Sequence, residues 1–240
     1  MQTIIDIVSG IDQSIARNFQ FDYIICDFVF LVIFISLMIW QKRYGPLAAG
    51  AVCGVIIYII DGVVWYTLGV REYGISDAWM KHPVDFMMDF SYGVVAFGWM
   101  WVAFERKSVK DVVFWTALVL GGWFLVPFAS SMLHLHDEPI MTVRHMQSQV
   151  GMQIGMVVAG YALLAILRYD FKMIAYLFWV GSMLGFMMEI PLNVFNIRPT
   201  GIDVLVYETL FLFNMGVPYL FIVFDKIIPV VRRRMMVCTE

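Results

Sequence analysis

The sequence predicts an all-α membrane protein with seven transmembrane helices. Three observations carry that expectation: an extreme apolar composition, a succession of apolar runs of bilayer-spanning length, and basic residues gathered at one end of those runs. Of 240 residues, 61% are hydrophobic and 16% aromatic, while only 15% are charged; the mean hydropathy is +0.80. A soluble globular domain carries roughly a quarter charged residues.

About 20 apolar residues, rising 1.5 Å each, cross roughly 30 Å of hydrocarbon. Such runs occupy residues 23–40, 46–66, 84–104, 112–132, 147–167, 172–192 and 204–224. Ahead of the first lies MQTIIDIVSGIDQSIARNFQ, which has neither a basic start nor a small-residue cleavage site. It is expected as a short amphipathic helix on the membrane surface rather than a removable signal peptide. Residues 1–22 are thus an interfacial segment, 23–226 one seven-helix transmembrane domain, and 227–240 a basic cytoplasmic tail.

With the N-terminus outside, the inner segments hold Lys42, Arg43, Arg106, Lys107, Lys110, Arg168, Lys172, Lys226, Arg232, Arg233 and Arg234, 11 of the 16 basic residues. The outer segments keep Arg17, Arg71, Lys81, Arg144 and Arg198. The positive-inside rule then gives N-out, C-in. Cys26, Cys53 and Cys238 show no metal-like spacing and signal neither a disulfide framework nor a zinc site.

An internal repeat organises the helices. The second follows Arg43-Tyr44 and carries Asp61, and the sixth follows Arg168-Tyr169 and carries Glu189. The third carries Asp89 and ends VAFER, and the seventh carries Glu208 and ends IVFDK; Asp89 precedes Glu105 by 16 residues and Glu208 precedes Asp225 by 17. Helices 1–3 and 5–7 are read as parallel repeats joined by helix 4, a 3+1+3 layout with an axis along the membrane normal.

Asp27, Asp61, Asp85, Asp89, Glu189 and Glu208 all fall in the outer half of the bilayer or at its outer boundary. An ionised carboxylate in hydrocarbon costs several kcal/mol, so six at one level imply a shared polar cavity on the non-cytoplasmic side. Crowding keeps some of them neutral, and Asp85 and Asp89, one helical turn apart, are the pair expected to share a proton. The plain alternative is that Asp27, Asp85 and Glu189 reach interfacial water. Ser91, Tyr92, Asn193, Asn196, Tyr207, Gln149 and Gln153 lie at similar levels. Lysine and arginine are confined there to outer loops, so permanent ion pairing of the deep acids is not expected. His82, His134, His136 and His145 also lie on the outer side. They are fallback metal ligands, but the leading expectation is interfacial histidines around the cavity mouth, with no metal and no cofactor.

KRYG followed by Asp61, and a fifth helix QVGMQIGMVVAGYALLAILR with Gln149, Gln153 and Arg168, resemble the seven-helix integral-membrane terpene cyclases of meroterpenoid pathways. That family usually has Asn and Trp before a helix-2 Glu; here the acid is Asp and those two are absent. A second resemblance, on Asp61-Gly62, Asp89, and Asn214, Pro218 and Asp225, is to the sterol isomerases of the emopamil-binding-protein type, without their histidine before the first acid.

Both resemblances imply acid-catalysed carbocation chemistry, which the residues also permit. A neutral carboxylic acid protonates an alkene or epoxide, a second carboxylate removes a proton, and aromatic faces stabilise the cation between. Asp61 or Asp89 is the expected donor and Glu189 or Glu208 the partner acid or final base. Asp85, Trp65, Tyr92, Trp99, Gln153, Asn193 and Asn214 are the expected substrate contacts. The partners are the lipid bilayer and a hydrophobic small molecule, not nucleic acid. The competing readings are a small 3+1+3 proton-coupled or solute transporter and a lipid- or sterol-binding protein.

Overall fold

A computed structural model of the chain describes residues 15–75, 78–145, 150–199 and 201–231. Among the described residues six helices are long and apolar enough to cross a membrane: α1 (Phe21–Trp40), α2 (Tyr44–Trp65), α3 (Ala78–Glu105), α4 (Val109–Met132), α6 (Phe171–Val194) and α7 (Val204–Val231). The seventh, α5 (Val150–Ile166), is apolar but has only 17 residues. The chain is therefore mostly helical, with membrane-length helices compatible with a multi-pass protein. Gln149, Arg232, Arg233, Arg234 and Cys238 lie outside the described residues.

A small sheet was not expected. Strands β1 (Ile15–Gln20), β2 (Arg71–Gly74) and β3 (Pro139–Arg144) pair antiparallel in the order β1-β3-β2. Residues Ile15–Gln20 are thus extended rather than part of an interfacial helix, and Phe21 and Asp22 already belong to α1. The cause is period-two patterning: Arg17 and Phe19 alternate with Asn18 and Gln20, and Ile140 and Thr142 are buried where Pro139 and Met141 are exposed.

The fold divides into two compact units, Met1–Ser148 with Met187–Val204, and Gln149–Phe186 with Leu205–Glu240. In the first, α2 and α3 approach backbone to backbone through glycines. A Cβ on Gly50 would stand 2.6 Å from the Val94 carbonyl oxygen, one on Gly54 2.9 Å from that of Phe90, and one on Gly93 would overlap the Gly54 backbone. Small residues are how membrane helices come this close, since dispersion rather than water expulsion holds them. Gly93→Ala is expected to destabilise the protein by about 1–3 kcal/mol, the usual cost of overpacking, lowering its unfolding temperature in detergent. Gly121→Ala, where a Cβ meets nothing within 4 Å, should leave it unchanged.

At the end of this pair away from the sheet, Arg43 binds Glu105 at 2.7 Å and Asp111 at 2.5 Å, tying the α1–α2 turn to the α3–α4 turn. The helix ends rhyme across the two units. Lys42 and Arg43 close α1 with backbone bonds to Ile39 and Met38; Arg168 and Tyr169 close α5 with bonds to Ala165 and Leu164. Lys42 and Arg168 both take a positive φ, 55° and 62°, the left-handed conformation of a helix C-cap. In the second unit the Tyr169 hydroxyl then donates to Asp225 at 2.5 Å, and Lys226 pairs with the same carboxylate at 2.9 Å. Burial, together with Asp225, lifts the Tyr169 phenol above its ordinary range.

Helical hydrogen bonding is interrupted at two of the sequence-predicted acids. Asp61 lies in a π-helical stretch, Tyr58–Trp65, that ends α2, and Glu208 opens another, Glu208–Leu212, in α7. α7 is broken further by a tight turn at Phe213–Met215 and a second π stretch at Val223–Ile227. Such bulges often sit at functional sites because they re-aim side chains.

Candidate functional site

The sheet draws its strands from the segments before α1, between α2 and α3, and after α4, so it lies at one end of these helices. Its register places Arg17 opposite Thr142, Tyr73 opposite Thr142, and Arg71 opposite Arg144. Residues paired across strands share a face, which puts three arginines and Tyr73 on the same side of the sheet. Arg71 and Thr142 are buried, at 4% exposure each.

Asp61 of α2 and Asp85 and Asp89 of α3 converge on Arg71. Its Nη1 lies 3.0 Å from Asp61 Oδ2 and 3.3 Å from Asp89 Oδ1, and its Nη2 lies 3.2 Å from Asp85 Oδ1. Burial alone would weaken the guanidinium's hold on its proton; the charges of Asp89, Asp85 and Asp61 outweigh it and keep Arg71 above the ordinary arginine range. Arg144 makes a second ion pair with Asp61 and stacks on Trp65, 4.8 Å from the ring centre. Asp61 and Asp89 are therefore ion-paired, contrary to the sequence expectation. Arg71, Arg144 and Arg198 do belong to connecting segments, but strand pairing and the turn after α6 carry them inward.

Asp85 differs from its neighbours. The Tyr73 hydroxyl donates to its Oδ1. Its Oδ2 is buried with no hydrogen bond among the described residues, and Lys81 Nζ stands 3.6 Å away. That oxygen points at Gly62, where a Cβ would collide with it and with the Tyr58 ring. The glycine after Asp61 thus makes room for the carboxyl of Asp85. Lys81 donates to the Gly62 carbonyl at 2.5 Å and lies 3.7 Å from the centre of the Tyr66 ring. Tyr58, Phe86 and Phe90 form a contiguous aromatic row beside the acids, with centroids 5.2 Å apart at each step.

Glu189, on α6 in the first unit, forms a two-oxygen ion pair with Arg198 at 2.8 and 2.9 Å. Asp27 accepts from Ser91 at 2.9 Å, and Asp22 accepts the backbone amides of Leu135 and His136, each at 3.0 Å, pinning the segment after α4. Trp99 is fully buried and donates its indole N–H to Thr116 at 3.0 Å. It serves the α3–α4 packing. Tyr92 stacks on Trp123 at 6.5 Å, and Asn193 is half-buried on α6.

In the second unit Glu208, Asn214 and Gln153 are buried. Tyr207 donates to Gln153 Oε1 at 2.5 Å, Tyr161 donates to Asn214 Oδ1 at 2.5 Å, and Asn214 Nδ2 donates to Ser182 at 3.1 Å. These form polar chains of their own.

No protein-family model matches the chain, and no curated protein or solved structure does.

The fallback metal ligands are dispersed. His82 faces Tyr58 at 3.2 Å, His134 faces Asp137 at 3.3 Å, His145 faces Glu72 at 3.1 Å, and His136 lies against the Phe21 ring. Among the described residues no three His, Cys, Asp or Glu side chains gather into a metal-holding group. In the sequence Arg17, Arg71, Arg144, Arg198 and Lys81 count only as outer-segment cations, and Tyr73 does not stand out. For Arg17, Arg71, Tyr73 and Arg144 the signal is the alternation Arg17-x-Phe19, Arg71-x-Tyr73 and Thr142-x-Arg144, in segments short enough to pass for loops.

Proposed function

We propose that the chain is a seven-span, multi-pass membrane enzyme that isomerises or cyclises an isoprenoid- or sterol-like lipid by proton transfer. The observation that carries this reading is the convergence of Asp61, Asp85 and Asp89 on Arg71 at one end of apolar helices, with one oxygen of Asp85 left without a hydrogen bond among the described residues. Asp85 holds the proton that goes to an alkene or epoxide. Asp61 and Asp89, ion-paired with Arg71, lie beside the developing cation, and one of them removes a proton from the adjacent carbon. The net change is a shifted double bond or a closed ring, with no redox cofactor required. The Tyr58, Phe86 and Phe90 rings offer π faces for the cationic stage.

This reading takes α5 as the seventh span, at about 25 Å for 17 residues, and keeps the N-out, C-in orientation that places the site in the non-cytoplasmic half. The matched caps of α1 and α5, followed by Arg43–Glu105 in one unit and Tyr169–Asp225 in the other, support the 3+1+3 repeat. They shift its register by one residue, setting Arg43 against Tyr169. The family resemblances to membrane terpene cyclases and sterol isomerases are retained as part of the proposal.

One observation favours a transporter: the broken α7, with Asn214 and Pro218 at its interruption, is a feature of substrate-carrying helices. Incubating the protein in liposomes with polyprenyl and sterol alkenes and epoxides separates the two. The enzyme is expected to give products of unchanged mass and altered chromatographic retention. Solute uptake that follows a pH gradient, with no product from any isoprenoid, would reject the enzyme.

A further inference from the structure

Four arginines line one small cavity on the sheet. Arg17, Arg71, Arg144 and Arg198, with Thr142 and Val143, line a small cavity that is partly open to solvent. All six residues belong to the first unit. This cavity is a different kind of place from the carboxylate cluster: four of its six lining residues are arginines and a fifth is a threonine.

Three of the arginines are counterbalanced. Arg71 serves Asp61, Asp85 and Asp89; Arg144 serves Asp61; Arg198 serves Glu189. Arg17 is not, for among the described residues its side chain has no ion pair and no hydrogen bond. The residue is half-buried. Burial, reinforced by Arg198, opposed by Glu189 and reinforced again by Arg144 and Arg71, draws it down to about 10. It is still a cation at neutral pH. A desolvated cation among three others, beside a cavity, lacks one thing: an anion.

We propose that this cavity binds the phosphate or diphosphate head of the lipid on which the protein acts. A carboxylate offers two oxygens in one plane and satisfies one guanidinium fork. A phosphate presents oxygens in several directions and can accept from several forks at once, with the Thr142 hydroxyl as a further donor. The head would sit under the sheet while the hydrocarbon part lies toward the aromatic row along α2 and α3. The assignment rests on the proposed catalytic reading for its substrate class, but anion binding itself does not depend on turnover.

Calorimetry on the full-length protein in detergent tests it, using inorganic pyrophosphate and inorganic phosphate as probes. A parallel arm uses native mass spectrometry of protein in phosphatidylcholine nanodiscs with and without phosphatidic acid. Saturable pyrophosphate or phosphate binding in the wild type, weakened at least tenfold in Arg17→Gln with an unchanged unfolding temperature, is the expected result and marks a soluble phosphate source. Selective retention of phosphatidic acid, lost in Arg17→Gln, supports the site equally and marks a lipid headgroup. If Arg17→Gln does not fold, Arg17→Lys keeps the charge without the fork and should bind severalfold more weakly than the wild type. No binding of any probe, or affinity unchanged in both variants, overturns the proposal. Binding with no isoprenoid turnover would leave the anion site standing and reject the catalytic reading; turnover without binding would do the reverse.

Discussion

Replacing Arg71 with Met is expected to destabilise the protein more than any other single change, by about 3–5 kcal/mol, the usual consequence of leaving a buried charge without its partner. Asp61 would keep Arg144, and Asp85 would keep Tyr73 and Lys81. Asp89 would keep nothing comparable: its hydrogen bonds among the described residues go to Arg71, at 3.3 and 3.5 Å. Adding Asp89→Asn should therefore restore part of the loss, and a double-mutant cycle on denaturant unfolding in micelles should show clear coupling. Strictly additive losses would mean that the two residues do not depend on each other. The pH dependence separates the proteins further. In the wild type the carboxylates hold Arg71 above the ordinary arginine range, so its charge persists at every working pH, and acid can break the cluster only by protonating carboxylates. In Arg71→Met, protonating Asp89 removes an unpaired charge, so moderate acid should raise stability instead of lowering it.

The second large effect is on turnover. Asp85→Asn preserves volume and leaves a carbonyl oxygen to accept from Tyr73 and Arg71, so the unfolding temperature should stay close to that of the wild type. The amide cannot deliver a proton, and activity on the responsive isoprenoid should fall by about 10²–10⁴-fold, the range typical of general acid catalysis. Asp61→Asn should also lower activity, but with a loss of stability, because its carboxylate answers both Arg71 and Arg144. An Asp85→Asn protein with full activity would move the proton donor elsewhere.

The helices were legible because hydropathy depends only on local composition. The apolar runs at 23–40, 46–66, 84–104, 112–132, 172–192 and 204–224 lie within or nearly within the six membrane-length helices. Asp61, Asp85 and Asp89 were legible only as members of a larger set, the six carboxylates that share one outer level, because depth along a helix does not say which of them face one another. The sheet was not, since four to six residues of strand gain meaning only from partners far along the chain: Ile15 pairs with Arg144, and Gly74 with Met141. Missing the sheet meant missing the counterions. Arg71, Arg17 and Arg144 look like loop cations until strand alternation turns them to one face, and Arg198 until the turn after α6 brings it to Glu189. Trp99 illustrates the opposite error, an aromatic expected at a substrate that packs α3 against α4.

The central claim, that a carboxyl group of this cluster gives a proton to substrate carbon, is tested most directly by running the wild-type reaction in deuterated water and locating deuterium in the product by mass spectrometry and NMR. With an alkene substrate the proposed chemistry requires one solvent-derived deuterium on the carbon that accepts the proton, with the amount of labelled product greatly reduced in Asp85→Asn. Product formed from an alkene without carbon-bound deuterium would contradict it, because the reaction would then begin by some event other than protonation of carbon.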